Sequence, residues 1–410
     1  LKIFGTERTQ NKVIEREILL SLDEPISEKK LLDTEDRLRR LGLFSQVTIE
    51  LVQSDRGPQY KDLKVSVSES VPGNMGVGAG FRNDLGVRLF GEVTYANLWG
   101  LNHAWVFNTS VNRRLSGFRF LEFSAQAGYI WPWFTLGETT FRPNISAERR
   151  QYREFDAETF AFSANFERMI LKSPKLSGTI TYTIEQIRQF NASDTTQNQQ
   201  IRIGSITPQL KLDLRDHPLT PKRGVFVSTS FEYASTLLGS QDYPIPVNYG
   251  RFQTRGDFYF DFIPHVVWYT SLRGGWLKNF AHTAGTASNF SIPLIKQFAL
   301  GGISSMRGYL EQEINVQEQD KDRRVQNFMT YVNYRTQFDF FATQNLSLGP
   351  FLDAGNLNVD QFNLGGLQYG SGVGLRYMTP VGPVNFDWGF KLFPKSGAET
   401  NVFYFSLGVN

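Results

Sequence analysis

Cysteine is missing from all 410 residues, which excludes a disulfide scaffold and a thiolate metal site. No apolar run reaches the roughly 18 residues that a membrane-crossing helix needs. Histidine is scarce: His103, His217, His265 and His282 are the whole complement, and none stands in HExxH or another metal-ligand spacing. With no nucleophile motif beside them, the expectation is structural or loop histidines and no enzyme. A net charge of +3 is too small to argue for nucleic acid. The mean hydropathy of -0.31 would ordinarily suggest a soluble chain. That inference fails for a membrane barrel, whose strands alternate lipid-facing and lumen-facing side chains and so average to low hydropathy. The chain opens at Leu1 without a signal peptide, so a processed or truncated product is expected.

What the sequence has in plenty is aromatic side chains, at 14% of residues, together with 36 glycines. That pairing suits an all-β chain with many hairpins. Residues 1–72 differ from the rest. Val13, Ile14 and Ile18 fall on one helical face, and Leu31, Leu38 and Leu41 on another. Ser27 is placed as an N-cap with Glu28 in the first turn, and Gly42 as the stop. Val47, Ile49 and Leu51, then Leu63, Val65 and Val67, alternate with polar residues. The order strand, helix, helix, strand, strand predicts a small α+β domain.

From residue 73 to 410 the helical period disappears. Val384, Phe386, Trp388, Phe390 and Leu392 alternate with Asn385, Asp387, Gly389 and Lys391. Leu210, Leu212 and Leu214 alternate with Lys211, Asp213 and Arg215, which puts Asp213 and Arg215 on one inward face. Roughly 16 such segments run from near Met75 to Val409, many past ten residues, the length a tilted strand needs to cross a bilayer. Aromatics gather at segment ends, as at Trp131 and Trp133 or Trp268 and Tyr269, which suits interfacial girdles. The expected fold is a transmembrane β-barrel of about 16 antiparallel strands behind one N-terminal α+β domain. A soluble sandwich or propeller explains neither the strand lengths nor the lack of a blade repeat.

Several motifs then carry a resemblance. Lys2-Ile3-Phe4-Gly5, Leu41-Gly42-Leu43-Phe44 and Val65-Ser66-Val67-Ser68-Glu69 resemble a POTRA domain. Leu300-Gly301-Gly302 followed by Ser305-Met306-Arg307-Gly308-Tyr309 resembles the Arg-Gly-Phe/Tyr loop of the outer-membrane insertase superfamily, which includes BamA, TamA and the two-partner-secretion translocators. In the family's order stand Asp213-Leu214-Arg215-Asp216 with Pro221-Lys222-Arg223-Gly224, then Phe351-Leu352-Asp353-Ala354-Gly355-Asn356, then Pro380-Val381-Gly382-Pro383 running into Phe386-Asp387. The ending Phe403-Tyr404-Phe405-Ser406-Leu407-Gly408 resembles a terminal β-signal.

The resemblance implies that the loop around Arg307, Gly308 and Tyr309 folds into the lumen and that Arg307 meets a carboxylate there. Asp353 is the expected partner, in phase with Ser347 and Gly349 on an inward face. Asn333 stands where BamA-type sequences carry an acidic residue on the preceding strand, so that position offers Arg307 no second carboxylate. An insertase also needs a weak seam. Gly76, Gly78 and Gly80 make the first barrel strand a poor partner for the last, which holds Phe403, Phe405, Leu407 and Gly408. The strand of Val47, Ile49 and Leu51, if at an edge, would hold extended clients by backbone pairing.

The function so implied is assembly and insertion of β-barrel proteins in a bacterial-type outer membrane, with the POTRA domain in the periplasm and no cofactor. The implied partners are unfolded outer-membrane clients, outer-membrane lipids and periplasmic or lipoprotein accessory subunits. A two-partner-secretion translocator is the first alternative and a passive porin the second. BamA-like and TamA-like roles both stay open, with the ending and short connections leaning toward TamA.

Overall fold

Residues 1–69 form β1 (Lys2–Phe4), α1 (Asn11–Glu15), α2 (Glu28–Arg40), β2 (Phe44–Gln53) and β3 (Lys61–Glu69). The Ser27 hydroxyl accepts from the Lys30 amide at the start of α2, and the chain leaves the helix through Gly42 at φ 69°. The expected first helix is cut short at Glu15, so Ile18 reaches the core from the segment beyond it. Val13, Ile14, Leu38, Val47 and Val65 are buried together against the sheet, whose order is β1-β3-β2.

β2 is therefore an edge strand. Val47 and Ile49 point into this small core, however, and only Leu51 of the three is exposed. The edge is partly guarded: Arg39 Nη2 donates to the Val47 carbonyl at 3.2 Å.

The computed structural model describes every residue except 22–23, 136, 171–174, 219, 244–245, 282–291, 317–324, 326, 380–381, 395–396, 398 and 409–410. His282, Pro380, Val381 and Val409 thus lie outside the described residues. From residue 73 onward come β4 (Gly73–Arg82), β5 (Gly86–Leu98), β6 (His103–Arg113), β7 (Glu122–Ile130), β8 (Thr139–Gln151), β9 (Asp156–Met169), β10 (Leu176–Phe190) and β11 (Gln200–Asp213). They are followed by β12 (Gly224–Ala234), β13 (Tyr249–Ile263), β14 (Val266–Asn279), β15 (Phe328–Phe341), β16 (Leu346–Val359), β17 (Gln368–Thr379), β18 (Gly382–Lys391) and β19 (Asn401–Leu407). These sixteen strands close into one antiparallel barrel, β19 returning to β4. Closure pairs the strands edge to edge, the condition that admits a sheet to a bilayer, and the β19–β4 junction is the short exception.

The alternation resolves as expected. In β18 the side chains of Asn385, Asp387 and Lys391 are buried in the lumen, with Gly389 in the same phase, while Trp388 is exposed on the outer face. Rings cluster where strands turn: Trp268 stacks on Phe260 and Phe338 at 5.1 and 5.9 Å beside the 264–265 turn. One departure from the simple picture is an apolar patch inside the barrel. Ile187, Ile201, Ile203, Leu357 and Val359 face inward and pack on Leu300, Met306 and Ile314 of the β14–β15 loop.

By compactness the chain divides into two units: residues 1–76, 91–108 and 127–143 form one, and 77–90, 109–126 and 144–410 the other. Within the first unit the Gln10 amide donates to the Gly100 carbonyl at 2.9 Å, and Arg37 pairs with Glu138 at 2.6 Å. Glu69 ends β3 by accepting from the amides of Arg8 and Thr9 at 3.1 and 2.7 Å. Burial alone would raise the Glu69 carboxyl, but the hydrogen bonds from Thr9 and Arg8 outweigh it and hold it below its ordinary range.

Two outcomes follow for the N-terminal domain. Leu38→Ala should destabilise it by about 2–5 kcal/mol, read as early proteolysis of residues 1–70 in a urea series on the liposome-embedded protein while the barrel keeps its gel shift. Because Glu69 is lowered on folding, its contribution is complete above the unfolded pKa and is lost as pH falls through the folded one. Glu69→Gln should therefore flatten the acid limb of the same proteolysis profile; an unchanged limb would assign that limb to other groups.

Candidate functional site: an in-folded loop and a short seam

Between β14 and β15 the chain leaves the wall and returns through the lumen. Leu300 and Ile314 exchange backbone hydrogen bonds at 2.8 and 2.9 Å, closing a narrow stalk whose tip carries Arg307, Gly308 and Tyr309. Arg307 is fully buried. Its Nε and Nη2 donate to the two oxygens of Asp353 on β16, each at 2.8 Å, and its own amide donates to Oδ2 at 3.0 Å. Nη1 donates to Gln337 Oε1 on β15 at 2.6 Å and reaches Asp387 Oδ1 on β18 at 3.5 Å. The Phe351 ring lies 3.5 Å from the guanidinium carbon. A charge so desolvated is tolerable only when its donors find acceptors, and the wall supplies them.

The wall also grips the loop backbone. Arg335 donates to the carbonyls of Ile303 and Ser304 at 3.1 and 3.0 Å, Arg273 to Ser304 at 2.7 Å, and Asn333 to Ser305 at 3.0 Å. Asn333 thus holds a carbonyl instead of the guanidinium. A second carboxylate, absent at the Asn333 position, comes from Asp387 on β18. Its inward phase was visible in the alternation, although nothing local marked it as a partner for Arg307.

Close approach explains two wall glycines. A Cβ on Gly370 would sit 1.9 Å from the Arg307 carbonyl oxygen, and one on Gly389 would sit 2.5 Å from the Gly308 nitrogen. Gly308 itself adopts φ 93°, which only glycine takes without strain.

The second feature is the seam. Where β13 and β14 share fourteen register pairs, among the described residues β19 and β4 share two: Ser406 with Arg82 and Leu407 with Phe81. Phe403 and Leu407 are exposed on the outer face, Phe405 packs on Phe81 at 5.6 Å, and Gly408 follows the strand at φ 70°. Gly76 has open space where a side chain would be, whereas the Phe90 ring lies where a Gly78 Cβ would point, 2.3 Å away. Gly78 is thus covered from inside by a neighbouring ring, and Gly80 lies beside it in the same strand.

The loop touches both sides of this seam. Tyr404 of β19 donates its hydroxyl to the Tyr309 carbonyl, and Glu311 lies 3.6 Å from Arg82 of β4. Sequence reading missed Tyr404, Arg82 and Glu311 in this role, since only spatial adjacency reveals it.

Among the described residues no group of acidic and histidine side chains is arranged to hold a metal. His103 is buried against Tyr129 and Trp131, His217 accepts from the Thr220 amide in a turn, and His265 sits at φ 68° in another. Asp213 and Arg215 do pair, at 2.7 Å, although Arg215 lies past the end of β11.

If wall glycines and the ion pair both seat the loop, two variants should release it. Arg307→Ala leaves Asp353 short of its main partner, at a cost of about 3 kcal/mol or more. Gly389→Ala changes no charge but collides with Gly308. Both should expose Tyr309, buried at 5%, to chymotrypsin in embedded protein; wild-type resistance in Gly389→Ala would refute the packing account.

Comparison with known proteins agrees with this geometry. Residues 97–410 match the Omp85 superfamily domain, and residues 1–70 match a POTRA repeat described as a surface antigen variable number repeat. The outer membrane protein assembly factor BamA of Nitratidesulfovibrio vulgaris is 26% identical over 98% of this chain and 50% of its own length. That of Neisseria meningitidis serogroup B is 22% identical over 100% of this chain and 56% of its own. The chain therefore spans about half the length of the curated relatives it matches. Among solved structures, BamA from Haemophilus ducreyi lacking POTRA domains 1–3 superposes with a TM-score of 0.79 at 16% identity, covering 99% of this chain and 83% of that one. CdiB from Acinetobacter baumannii follows at 0.60, also at 16% identity, covering 99% and 73%. The barrel is an outer-membrane barrel with its POTRA domain in the periplasm, and the chain belongs to the Omp85 superfamily.

Proposed function

We propose that this protein assembles β-barrel proteins into the outer membrane and does so at the seam between β4 and β19, without a catalytic centre. The observation that carries this reading is the disparity between a two-pair seam and the long ladders elsewhere in the same barrel. A strand edge freed in a bilayer carries unsatisfied N–H and C=O groups, each costing several kcal/mol. An incoming client strand satisfies them, so opening is stabilised when a client is present. The relatives named as assembly factors support the same activity for this chain. The POTRA domain serves as a periplasmic holding site through the backbone edge of β2, since Val47 and Ile49 are committed to its core. Clients, lipids and periplasmic or lipoprotein accessory subunits are the partners this reading requires.

A second reading, a dedicated polypeptide translocator, draws on the likeness to the CdiB fold. It requires the loop to vacate the lumen, against the Arg307 bonds to β15, β16 and β18. A passive porin fits less well, because the apolar packing of Leu300, Met306 and Ile314 fills part of the lumen.

The test is the folding rate of a urea-denatured barrel protein in liposomes, followed by gel shift. Wild-type protein should accelerate folding over empty liposomes, and Arg307→Ala should lose most of the acceleration. No acceleration by folded wild-type protein would remove the insertase reading and favour the translocator.

A further inference from the structure

Beyond the two ladder pairs the seam has an unusual continuation. The register that sets Ser406 against Arg82 and Leu407 against Phe81 would next oppose Phe405 to Asn83 and Phe403 to Leu85. The chain cannot continue that ladder, because residues 83–85 turn into β5. The Asn83 side chain supplies the missing backbone groups. Its Oδ1 accepts from the Phe405 amide at 3.0 Å, and its Nδ2 donates to the Phe403 carbonyl at 2.6 Å. Its own amide completes the set by donating to the Phe405 carbonyl at 3.1 Å. A primary amide carries one donor side and one acceptor side, the inventory of a peptide unit, and here both sides are used on one strand edge.

We infer that Asn83 is the clip of the seam, a side-chain stand-in for a strand residue that holds β19 to β4 and whose release sets how readily the two part. The turn that presents it is braced. Arg82 forks onto both oxygens of Asp84 at 3.0 and 2.6 Å, and Glu311 of the lumen loop lies 3.6 Å from the same guanidinium. Asn83 itself is exposed, so no packed neighbour locks its side chain, and a single side-chain rotation breaks both bonds. A backbone ladder would have to unzip residue by residue. The clip lets two of the seam's bonds release in one step, leaving the Asn83 amide bond and the two register pairs. Its connection to insertion rests on the function proposed above; its effect on the seam does not.

The absence of native cysteine allows a direct test. Phe81→Cys and Leu407→Cys place a thiol pair across the seam at registered positions. The equilibrium of their disulfide against a glutathione buffer reports the effective concentration of one strand edge at the other. Adding Asn83→Ala should lower that equilibrium constant about tenfold, while Asn83→Asp, which keeps the acceptor for the Phe405 amide but cannot donate, should fall in between. Gel shift confirms that each barrel is folded, and if the alanine variant fails that check the aspartate variant decides alone. A wild-type constant in a folded variant overturns the clip. Liposome assays on the same proteins separate the two ideas. A shifted disulfide equilibrium in a protein that never accelerates client folding supports the clip and removes the insertase reading.

Discussion

A fully desolvated arginine organises the lumen wall from β15 to β18. Placing the Arg307 guanidinium in the lumen carries a cost of several kcal/mol that only complementary geometry can offset. The offset comes from three strands at once: Gln337 of β15, Asp353 of β16 and Asp387 of β18. The charges close among themselves. Arg307, Arg335 and Arg376 are set against Asp353, Asp387 and Asp339. Withdrawing the loop would leave Asp353 with Arg335 alone at 3.5 Å, so the loop and wall are held by a mutual requirement for neutrality.

That requirement also explains features with no charge of their own. For the Arg307 amide to reach Asp353 the loop backbone must lie directly on the wall, and β17 and β18 accordingly present Gly370 and Gly389 beneath it. The stalk is then tethered by Leu300, Met306 and Ile314 against inward-facing isoleucines and leucines. Burial of this apolar surface, at roughly 25 cal/mol per Å², acts without direction, while the ion network fixes the depth and rotation of the tip. The lumen wall is thus divided into a polar socket and an apolar collar.

Much of this was legible in the sequence because two of its rules are strict. Side-chain alternation in a strand has period two, so the outward row of β18 and the inward placement of Asp353 follow from spacing alone. The family resemblance implies an Arg307 loop inside the lumen, where a guanidinium needs a carboxylate, and that brought Arg307 and Asp353 together. What was not legible depends on contacts between distant segments. Asp387 lies 80 residues from Arg307, and alternation says that it faces inward but not which of several inward groups it meets. The collar was hidden for a related reason: inward isoleucines break the polar-inside pattern, and only a loop folded over them makes that break favourable. α1 was over-read because an apolar face at helical spacing also fits one helical turn followed by a segment packed on the same core.

The structure therefore combines a strongly held lumen with a weakly held wall. In a closed barrel every ladder resists separation in proportion to its length, and the shortest ladder yields first. Among the barrel ladders whose register is described, the shortest is the junction of the first and last barrel strands, where parting breaks two register pairs and the bonds of Asn83 to Phe403 and Phe405. The lumen loop reaches both sides of that junction, through Tyr309 to Tyr404 and through Glu311 to Arg82. Its anchorage is elsewhere, on β15 to β18. A loop fixed at one place and touching at another constrains the seam without bearing its full separation energy. Lateral parting of the wall breaks two register pairs and the Asn83 bonds, whereas axial emptying of the lumen uncovers the buried Arg307 charge.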